Sequence, residues 1–188
     1  KFRVARAALH YWEEPCISGE NGSGTVFFSG CNLRCVYCQN YEISRENKGL
    51  EISDDKLIEI FESLIAQGAN NINLVNPTHY ADRLAKVLSE WQSPVPVVYN
   101  SSGYECVNTI KKLDGLIDVY LPDLKYIRND KALRYSRAED YFERASKVIS
   151  EMRRQVKDRF DCDGIMQSGL IVRHLILPQN TNSSIEIL

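Results

Sequence analysis

Short apolar runs rich in β-branched residues alternate along the chain with longer segments whose apolar residues recur at helical intervals. Such alternation predicts repeated βα units rather than an all-helical or all-β fold. The nearly continuous hydrophobicity of the short runs suits a parallel sheet that is covered on both faces. The predicted strands are residues 25–29, 72–75, 95–99, 116–121 and 170–177.

Helices are predicted between these strands. In the first of them, Leu57, Phe61, Leu64 and Ile65 share one face, and Gly68 marks its end. The longest is expected to begin with a capping box, because Ser136 and Glu139 stand three residues apart. The segment 157–168 is polar and aperiodic, so it is expected to be a loop. The predicted helices are residues 54–67, 80–91, 106–113 and 137–156.

Composition and charge exclude several classes of partner. The 188 residues suit one domain, and 23 basic against 25 acidic residues give a formal charge of -2. That balance indicates neither a nucleic-acid nor an anionic-membrane partner. No run approaches the roughly 20 apolar residues of a membrane helix, and the first residues lack the apolar segment of a signal peptide. We therefore expect a cytoplasmic protein.

Three of the six cysteines, Cys31, Cys35 and Cys38, lie within eight residues at the spacing C-x3-C-x2-C. They follow Gly30 at the end of the first predicted strand. Without a secretion signal, clustered thiols indicate metal binding rather than disulfides. Seven residue steps extend to at most about 25 Å, which is enough chain to wrap around a small iron–sulfur cluster.

The spacing of the cysteines is also compatible with a helix face, a zinc site or an electron carrier. Residues at i, i+4 and i+7 share one helix face, so the thiols could be core side chains. Zinc would need a fourth ligand, and a ferredoxin-type electron carrier normally uses four cysteines. Three protein ligands would instead leave one iron of a cubane open to a small molecule. The candidates for a fourth ligand, none at ligand spacing, are Cys16, Cys106, Cys162, His10, His79 and His174.

Polar side chains follow the remaining predicted strands near their carboxyl ends. In barrels of parallel strands that edge is the active face. Each residue alone suits a turn or a solvated position, but their shared position predicts a binding site. They are Asn76 after the second strand, Asn100 and Ser102 after the third, Asp123 and Lys125 after the fourth, and Arg173 and His174 within the fifth.

With Tyr37 directly before its third cysteine, the motif resembles that of the radical S-adenosylmethionine superfamily. Longer stretches are similar to a subfamily related to pyruvate formate-lyase activating enzyme, from about His10 to Pro178. These stretches are HYWEEPCISGENGSGTVFFSGCNLRCVYCQNYEIS, NINLVNPTHY, YNSSGYE, DVYLPDLKY and VRHLILP.

The resemblance implies an α/β fold, a partial (β/α)6 barrel with the cofactors at the carboxyl ends of its strands. We expect a single domain over residues 1–188, with an N-terminal extension to about residue 23 and the barrel from about residue 24. The barrel's last strand and the subfamily's N-terminal cysteine segment are expected to be absent from this chain, as if it were trimmed at both ends.

The activity that the resemblance implies is reductive cleavage of S-adenosylmethionine to a 5′-deoxyadenosyl radical, which then abstracts hydrogen from a substrate. In activating enzymes that substrate is a glycine of a partner protein, a glycyl-radical enzyme. The expected partners are an electron donor such as flavodoxin or ferredoxin and a protein or peptide substrate. The alternatives are a radical enzyme acting on a small molecule or peptide and a non-catalytic electron-transfer protein.

The resemblance also implies a ligand set. Cys31, Cys35 and Cys38 would hold a [4Fe-4S] cluster. The Gly-Gly-Glu motif that binds the cofactor's amino group in activating enzymes is replaced here by Asn73-Leu74-Val75-Asn76-Pro77, whereas Asp123-Leu124-Lys125 resembles their Asp-x-Lys element. The residues expected to bind S-adenosylmethionine are Tyr37, Asn73, Asn76, Asn100, Ser102, Asp123, Lys125 and Arg173.

Overall fold

A mixed sheet of eight strands organises the chain, which the computed structural model describes over residues 1–178 and 181–186. The strands are β1 (Phe2–His10), β2 (Ser23–Phe28), β3 (Leu50–Ile52), β4 (Ile72–Val75), β5 (Val97–Ser101), β6 (Val119–Pro122), β7 (Arg159–Phe160) and β8 (Met166–Leu170).

The strand order is β3-β1-β2-β4-β5-β6-β8-β7. The five strands from β2 to β8 within this order pair in parallel. Antiparallel strands flank them, with β1 and β3 at one edge and β7 at the other. Because the five central strands run in one direction, the segments that leave their carboxyl ends meet at the same edge of the sheet.

Helices follow most of the parallel strands. The one after β2 is preceded by the cysteine segment, and a 3-10 turn, Thr78–Tyr80, follows β4. The helices are α1 (Pro15–Ser18), α2 (Tyr41–Arg45), α3 (Asp54–Ala66), α4 (Ala81–Glu90), α5 (Val107–Lys111), α6 (Asn129–Ser136), α7 (Tyr141–Gln155) and α8 (Thr181–Ile185).

The larger core lies between one face of the sheet and the helices α3, α4, α5 and α7. Helix α3 begins at Ser53, whose side chain accepts a hydrogen bond from the Lys56 backbone N–H, and such a cap contributes about 1 kcal/mol. Its apolar face then buries Leu57 and Phe61 completely. The strands supply the other side of this core: Val26, Phe28, Ile72, Leu74, Tyr99 and Tyr120.

A smaller core covers the opposite face. Ile17 of the short helix α1 is fully buried against Val98, Val119 and Leu121. The Asn71 side chain, just before β4, donates from Nδ2 to the Ile17 carbonyl at 2.7 Å. Helix α1 therefore closes this face at the amino-terminal end of the parallel strands and leaves the carboxyl end to polar residues.

The strand prediction was confirmed for β4 and overlaps β2, β5 and β6 by most of their length. It was wrong for the fifth strand, since β8 ends at Leu170. Beyond it, the backbone N–H groups of Ile171 and Arg173 still donate to β6, and Arg173 forms an isolated bridge with Asp123. The predicted loop 157–168 was also wrong, because it contains β7 and the first residues of β8. The antiparallel strands β1 and β3 were not predicted.

The capping-box prediction at Ser136 was wrong. Ser136 is the last residue of α6, a helix that was not predicted. Arg137 then adopts a left-handed conformation with φ 55° and ends this helix, and α7 starts only at Tyr141.

Residues 1–23, predicted to be an extension, contribute β1 and α1, and β1 pairs with β2 in the main sheet. The predicted domain also includes residues 179, 180, 187 and 188, which lie outside the described residues. Within the described ranges, every helix is too short or too polar to cross a membrane.

Candidate cofactor site

The three clustered cysteines lie in an irregular segment between β2 and α2. Residues 29–40 contain no helix or strand, so the thiols do not share one face of a core helix. All three are free and half-buried. Such a segment lets three thiols line one cavity, which a regular helix would restrict.

The segment begins at a fixed point above the sheet. Gly30 has φ 92°, in the left-handed region that glycine enters without strain. Its carbonyl accepts a hydrogen bond from Asn76 Nδ2. Asn76 is itself left-handed, with φ 57°, and its backbone N–H donates to the Asn100 carbonyl at 2.8 Å. The carboxyl ends of β4 and β5 therefore hold the residue that precedes Cys31.

The middle of the segment is held by the last turn of α6. The backbone N–H of Arg34 donates to the Ser136 carbonyl at 2.9 Å, and that of Val36 donates to the Tyr135 carbonyl at 2.9 Å. The Arg34 guanidinium also donates to the Cys31 carbonyl at 2.6 Å. Cys35 thus sits between two residues whose backbones are bonded to the same helix end.

A cavity of about 200 Å³ opens between this segment and the carboxyl ends of the parallel strands. It brings together the three cysteines and six of the eight residues predicted to bind S-adenosylmethionine. The polar residues of its lining are Cys31, Cys35, Cys38, Asn40, Ser44, Asn76, Asn100, Ser101, Ser102, Asp123, Lys125 and Arg173. The remaining walls are apolar: Phe27, Phe28, Leu33, Ile43 and Val75.

Two predicted residues lie outside the lining of this cavity. The Tyr37 hydroxyl is hydrogen-bonded to the Tyr126 hydroxyl. Asn73 of β4 is completely buried, and neither polar atom of its side chain has a hydrogen-bond partner among the described residues. A buried amide without hydrogen bonds costs about 1–3 kcal/mol. The Asn73 side chain therefore has a donor and an acceptor that no described residue uses.

An alternating network of charges forms one side of the cavity. Asp123 pairs with Arg173 Nε at 3.0 Å through Oδ1 and with Lys125 through Oδ2. Arg173 also donates from Nη2 to Asn100 Oδ1 at 2.6 Å. Since these side chains are largely buried, their interactions are screened less than those of surface pairs. The network therefore places a carboxylate and two cationic groups beside one cavity.

Glu13 and Glu14, which precede α1, extend this network through their contacts with Arg173. Glu13 Oε2 and Glu14 Oε1 lie 3.5 Å and 3.8 Å from Arg173 Nη1. Burial raises the pKa of Glu13, an effect that the nearby Arg173 opposes. Sequence reasoning missed both glutamates, because the contact joins residues 160 positions apart. The only local signal was an acidic pair directly before a proline.

The donor set fits a [4Fe-4S] cluster. Cluster irons are held by one cysteine thiolate each, and three thiols line one cavity. Burial raises the pKa of the Cys31 thiol, and the nearby Lys125 lowers it, so cluster binding must release the proton of this thiol.

Ser102 Oγ is buried in the same lining without a hydrogen-bond partner among the described groups. A polar ligand in the cavity would satisfy it.

The structure gives no comparable support to a zinc site. Across residues 1–178 and 181–186, no three His, Cys, Asp or Glu side chains converge as a single metal ion requires. Cys16 packs against the smaller core and is outside the lining of the cavity. A fourth cysteine ligand from Cys16, as an electron carrier would need, is therefore not supported.

Glu105 is a fully buried carboxyl beside the site, in the segment between β5 and α5. Thr78 Oγ1 donates to its Oε1 at 2.8 Å. Burial raises the pKa of Glu105 to about 7, the Thr78 hydrogen bond lowers it, and Asp123 raises it further. The folded chain therefore holds a proton on Glu105 that the unfolded chain has already released near pH 5.

Stability is expected to fall as the pH rises from about 4.5 to about 7, because in this window the folded state binds the extra proton. Glu105→Gln should remove that loss and raise the free energy of unfolding at about pH 8 by about 2–3 kcal/mol. Urea denaturation at about pH 5 and about pH 8 measures both effects. The exposed Glu62→Gln is the control. Equal pH dependence in the Glu105→Gln variant and the parent would contradict the assignment.

Comparison with known proteins agrees with this geometry. The model of the radical SAM superfamily matches residues 25–172. An uncharacterized protein of Methanocaldococcus jannaschii is 31% identical over 187 residues, 95% of this chain and 50% of that protein. A 7-carboxy-7-deazaguanine synthase of Methanothermobacter thermautotrophicus is 29% identical over 102 residues, 53% of this chain and 40% of that protein. The chain thus spans half or less of these curated relatives. It belongs to the radical SAM superfamily, whose members use a [4Fe-4S] cluster and S-adenosylmethionine.

Proposed function

We propose that this chain holds a [4Fe-4S] cluster through Cys31, Cys35 and Cys38, binds S-adenosylmethionine beside it and cleaves that cofactor reductively. The observation that carries the proposal is one cavity at the carboxyl ends of the parallel strands, lined both by the three thiols and by the Asp123–Lys125–Arg173 network. When bound, the cluster supplies the electron that splits the sulfonium into methionine and a 5′-deoxyadenosyl radical.

Three thiolate ligands are the first requirement of this chemistry. Held by Cys31, Cys35 and Cys38 alone, a cluster would keep one iron without a protein ligand, and that iron would be available to the amino and carboxylate groups of a methionine moiety. The backbone bonds from α6 and from Asn76 fix the segment that carries the thiols. Rigid positioning of this kind is what allows a protein to align a cofactor for electron transfer.

The polar wall of the cavity matches the charges of S-adenosylmethionine. Lys125 and Arg173 suit its carboxylate, whereas Asp123 and the amide oxygens of Asn76 and Asn100 suit its ammonium and sulfonium. Ser102 Oγ adds a buried hydroxyl with unused hydrogen-bonding capacity among the described groups. The apolar side of the lining, with Phe27, Phe28 and Val75, excludes water from the reacting groups.

We also propose that the parallel strands belong to a partial barrel of the radical SAM type. Five consecutive parallel strands, helices in the connections between them and a site at their carboxyl ends support it. A further strand outside this chain stays a prediction.

The radical would abstract hydrogen from a substrate, and two substrate classes suit that step. Activation of a glycyl-radical enzyme rests on the sequence resemblance to activating enzymes alone. Modification of a small molecule has the support of a relative whose name, 7-carboxy-7-deazaguanine synthase, denotes a small product. In either case the electron would come from a carrier such as flavodoxin or ferredoxin.

Anaerobic reconstitution tests the proposal. Protein loaded with iron and sulfide, reduced with dithionite and given S-adenosylmethionine should form 5′-deoxyadenosine and methionine in equal amounts, measured by chromatography. Protein that was never loaded with iron is the control. A verified cluster in the full-length protein that yields no 5′-deoxyadenosine would contradict the proposed activity.

A further inference from the structure

A buried hydroxyl donates a hydrogen bond to one of the three cysteines. Ser136 Oγ lies 3.0 Å from Cys35 Sγ. Ser136 is completely buried at the end of α6, so water does not compete for this contact. The two backbone bonds from Arg34 and Val36 to the same helix end keep the serine opposite the sulfur.

Two tyrosine hydroxyls extend this contact into a chain. Tyr126 Oη lies 2.7 Å from Ser136 Oγ, and Tyr37 Oη is hydrogen-bonded to Tyr126 Oη. Tyr126 is nearly as buried as the serine. We call Tyr37, Tyr126 and Ser136 the hydroxyl chain.

The direction of the hydroxyl chain follows from counting hydrogens. Each hydroxyl has one hydrogen to donate, and a thiolate that ligates iron has none. Ser136 must therefore donate to Cys35, which leaves Tyr126 to donate to Ser136 and Tyr37 to donate to Tyr126. Hydrogen bonds that all point one way polarise one another and strengthen the last one.

We propose that the hydroxyl chain raises the reduction potential of the cluster by stabilising negative charge on the Cys35 sulfur. The proposal rests on the proposed function, in which Cys35 is a cluster ligand. Hydrogen bonds to ligand sulfurs tune iron–sulfur potentials. The reduced cluster carries one more negative charge than the oxidised cluster, so the donor stabilises the reduced state more. Ser136, Tyr126 and Tyr37 are positioning residues that act through Cys35.

Ser44 offers a matched comparison at another cysteine. Its Oγ lies 3.3 Å from Cys38 Sγ and equally 3.3 Å from the Tyr41 carbonyl oxygen. A carbonyl only accepts, so the single hydrogen of Ser44 is divided between two acceptors. The Cys38 contact should therefore affect the cluster less than the Ser136 contact does.

The test is the midpoint potential of the cluster in the reconstituted full chain, measured by a mediated dithionite titration followed by electron paramagnetic resonance. Ser136→Ala should make one-electron reduction about tenfold less favourable, which lowers the potential by about 59 mV. Ser136→Thr, which keeps the hydroxyl, should restore the parent value. Ser44→Ala should shift the potential by less than half as much.

An unchanged potential in Ser136→Ala, or an equal shift in Ser44→Ala, would overturn the proposal. If the Ser136→Ala variant holds no cluster, the midpoint potential of the Tyr126→Phe variant tests the proposal instead. It should lower the potential by a smaller amount, and an unchanged value there would overturn the proposal as well. Because this titration needs no S-adenosylmethionine, a cluster that titrates normally but makes no 5′-deoxyadenosine would count against the proposed activity alone.

Discussion

Cys35→Ala is expected to abolish both the cluster and the cleavage of S-adenosylmethionine. The variant keeps only two of the three thiols that ligate the cluster. The lost sulfur belongs to the residue whose two flanking segments are hydrogen-bonded to α6. Iron and sulfide content after reconstitution, visible absorbance and 5′-deoxyadenosine formation measure the result. Activity should fall to the level of the protein without iron.

Two cysteines outside the cluster segment provide controls for this variant. Cys106 is exposed, and Cys16 lies outside the lining of the cavity. Cys106→Ala and Cys16→Ala should keep full iron content and activity. If Cys35→Ala retained a complete cluster, or if Cys16→Ala lost it, the assignment of the three ligands would be wrong.

Asp123→Ala is expected to weaken binding of S-adenosylmethionine while the cluster stays intact. Asp123 is paired with both cations of the network, so its loss removes a carboxylate from the cavity and frees Lys125 and Arg173 to move. Truncating one partner of a buried charge pair costs about 2–3 kcal/mol, or a loss of affinity of about 30–150-fold. Calorimetric titration of the reconstituted protein with S-adenosylmethionine measures it.

The backbone at Asp123 should survive this change. Its carbonyl accepts a hydrogen bond from the Tyr141 hydroxyl at 2.8 Å, which the substitution does not touch. Asp114→Ala, which breaks an exposed pair with Arg154, is the matched control and should bind with the parent affinity. Unchanged affinity in Asp123→Ala would remove this residue from the cofactor site, and loss of the cluster would assign it a structural role instead.

The sequence predicted the parallel part of the sheet because its strands are nearly continuous apolar runs. The strand β4 was predicted to the residue, between the polar Asn71 and Asn76. The antiparallel strand β1 was missed because Arg3 and Arg6 interrupt its apolar pattern, which is compatible with a strand only where one of its faces meets solvent. The fifth strand was misplaced, since β8 begins at Met166 and the chain beyond Arg173 no longer pairs with β6 as a strand.

The candidate site was predictable where residues share the carboxyl ends of strands. The spacing of the cysteines and the polar residues at the carboxyl ends of β5 and β6 placed most of the cavity lining on one edge of the sheet. Residues that reach the site from elsewhere could not be found in this way. Ser136 looked like the start of a helix because Glu139 has the spacing of a capping box, whereas its hydroxyl bonds Cys35, 101 residues earlier. No local pattern carries that information.

The separation between Cys35 and the helix end that holds it sets an order for assembly during synthesis. The thiol of Cys35 leaves the ribosome 101 residues before Ser136, so the carbonyls and the hydroxyl that fix Cys35 arrive only later, with Tyr135 and Ser136. Domains fold from the amino terminus as the chain emerges. A nascent chain from which α6 has not yet emerged therefore carries the three thiols without the hydrogen bonds that position Cys35, and the final geometry for iron and sulfide forms only after Ser136 has emerged.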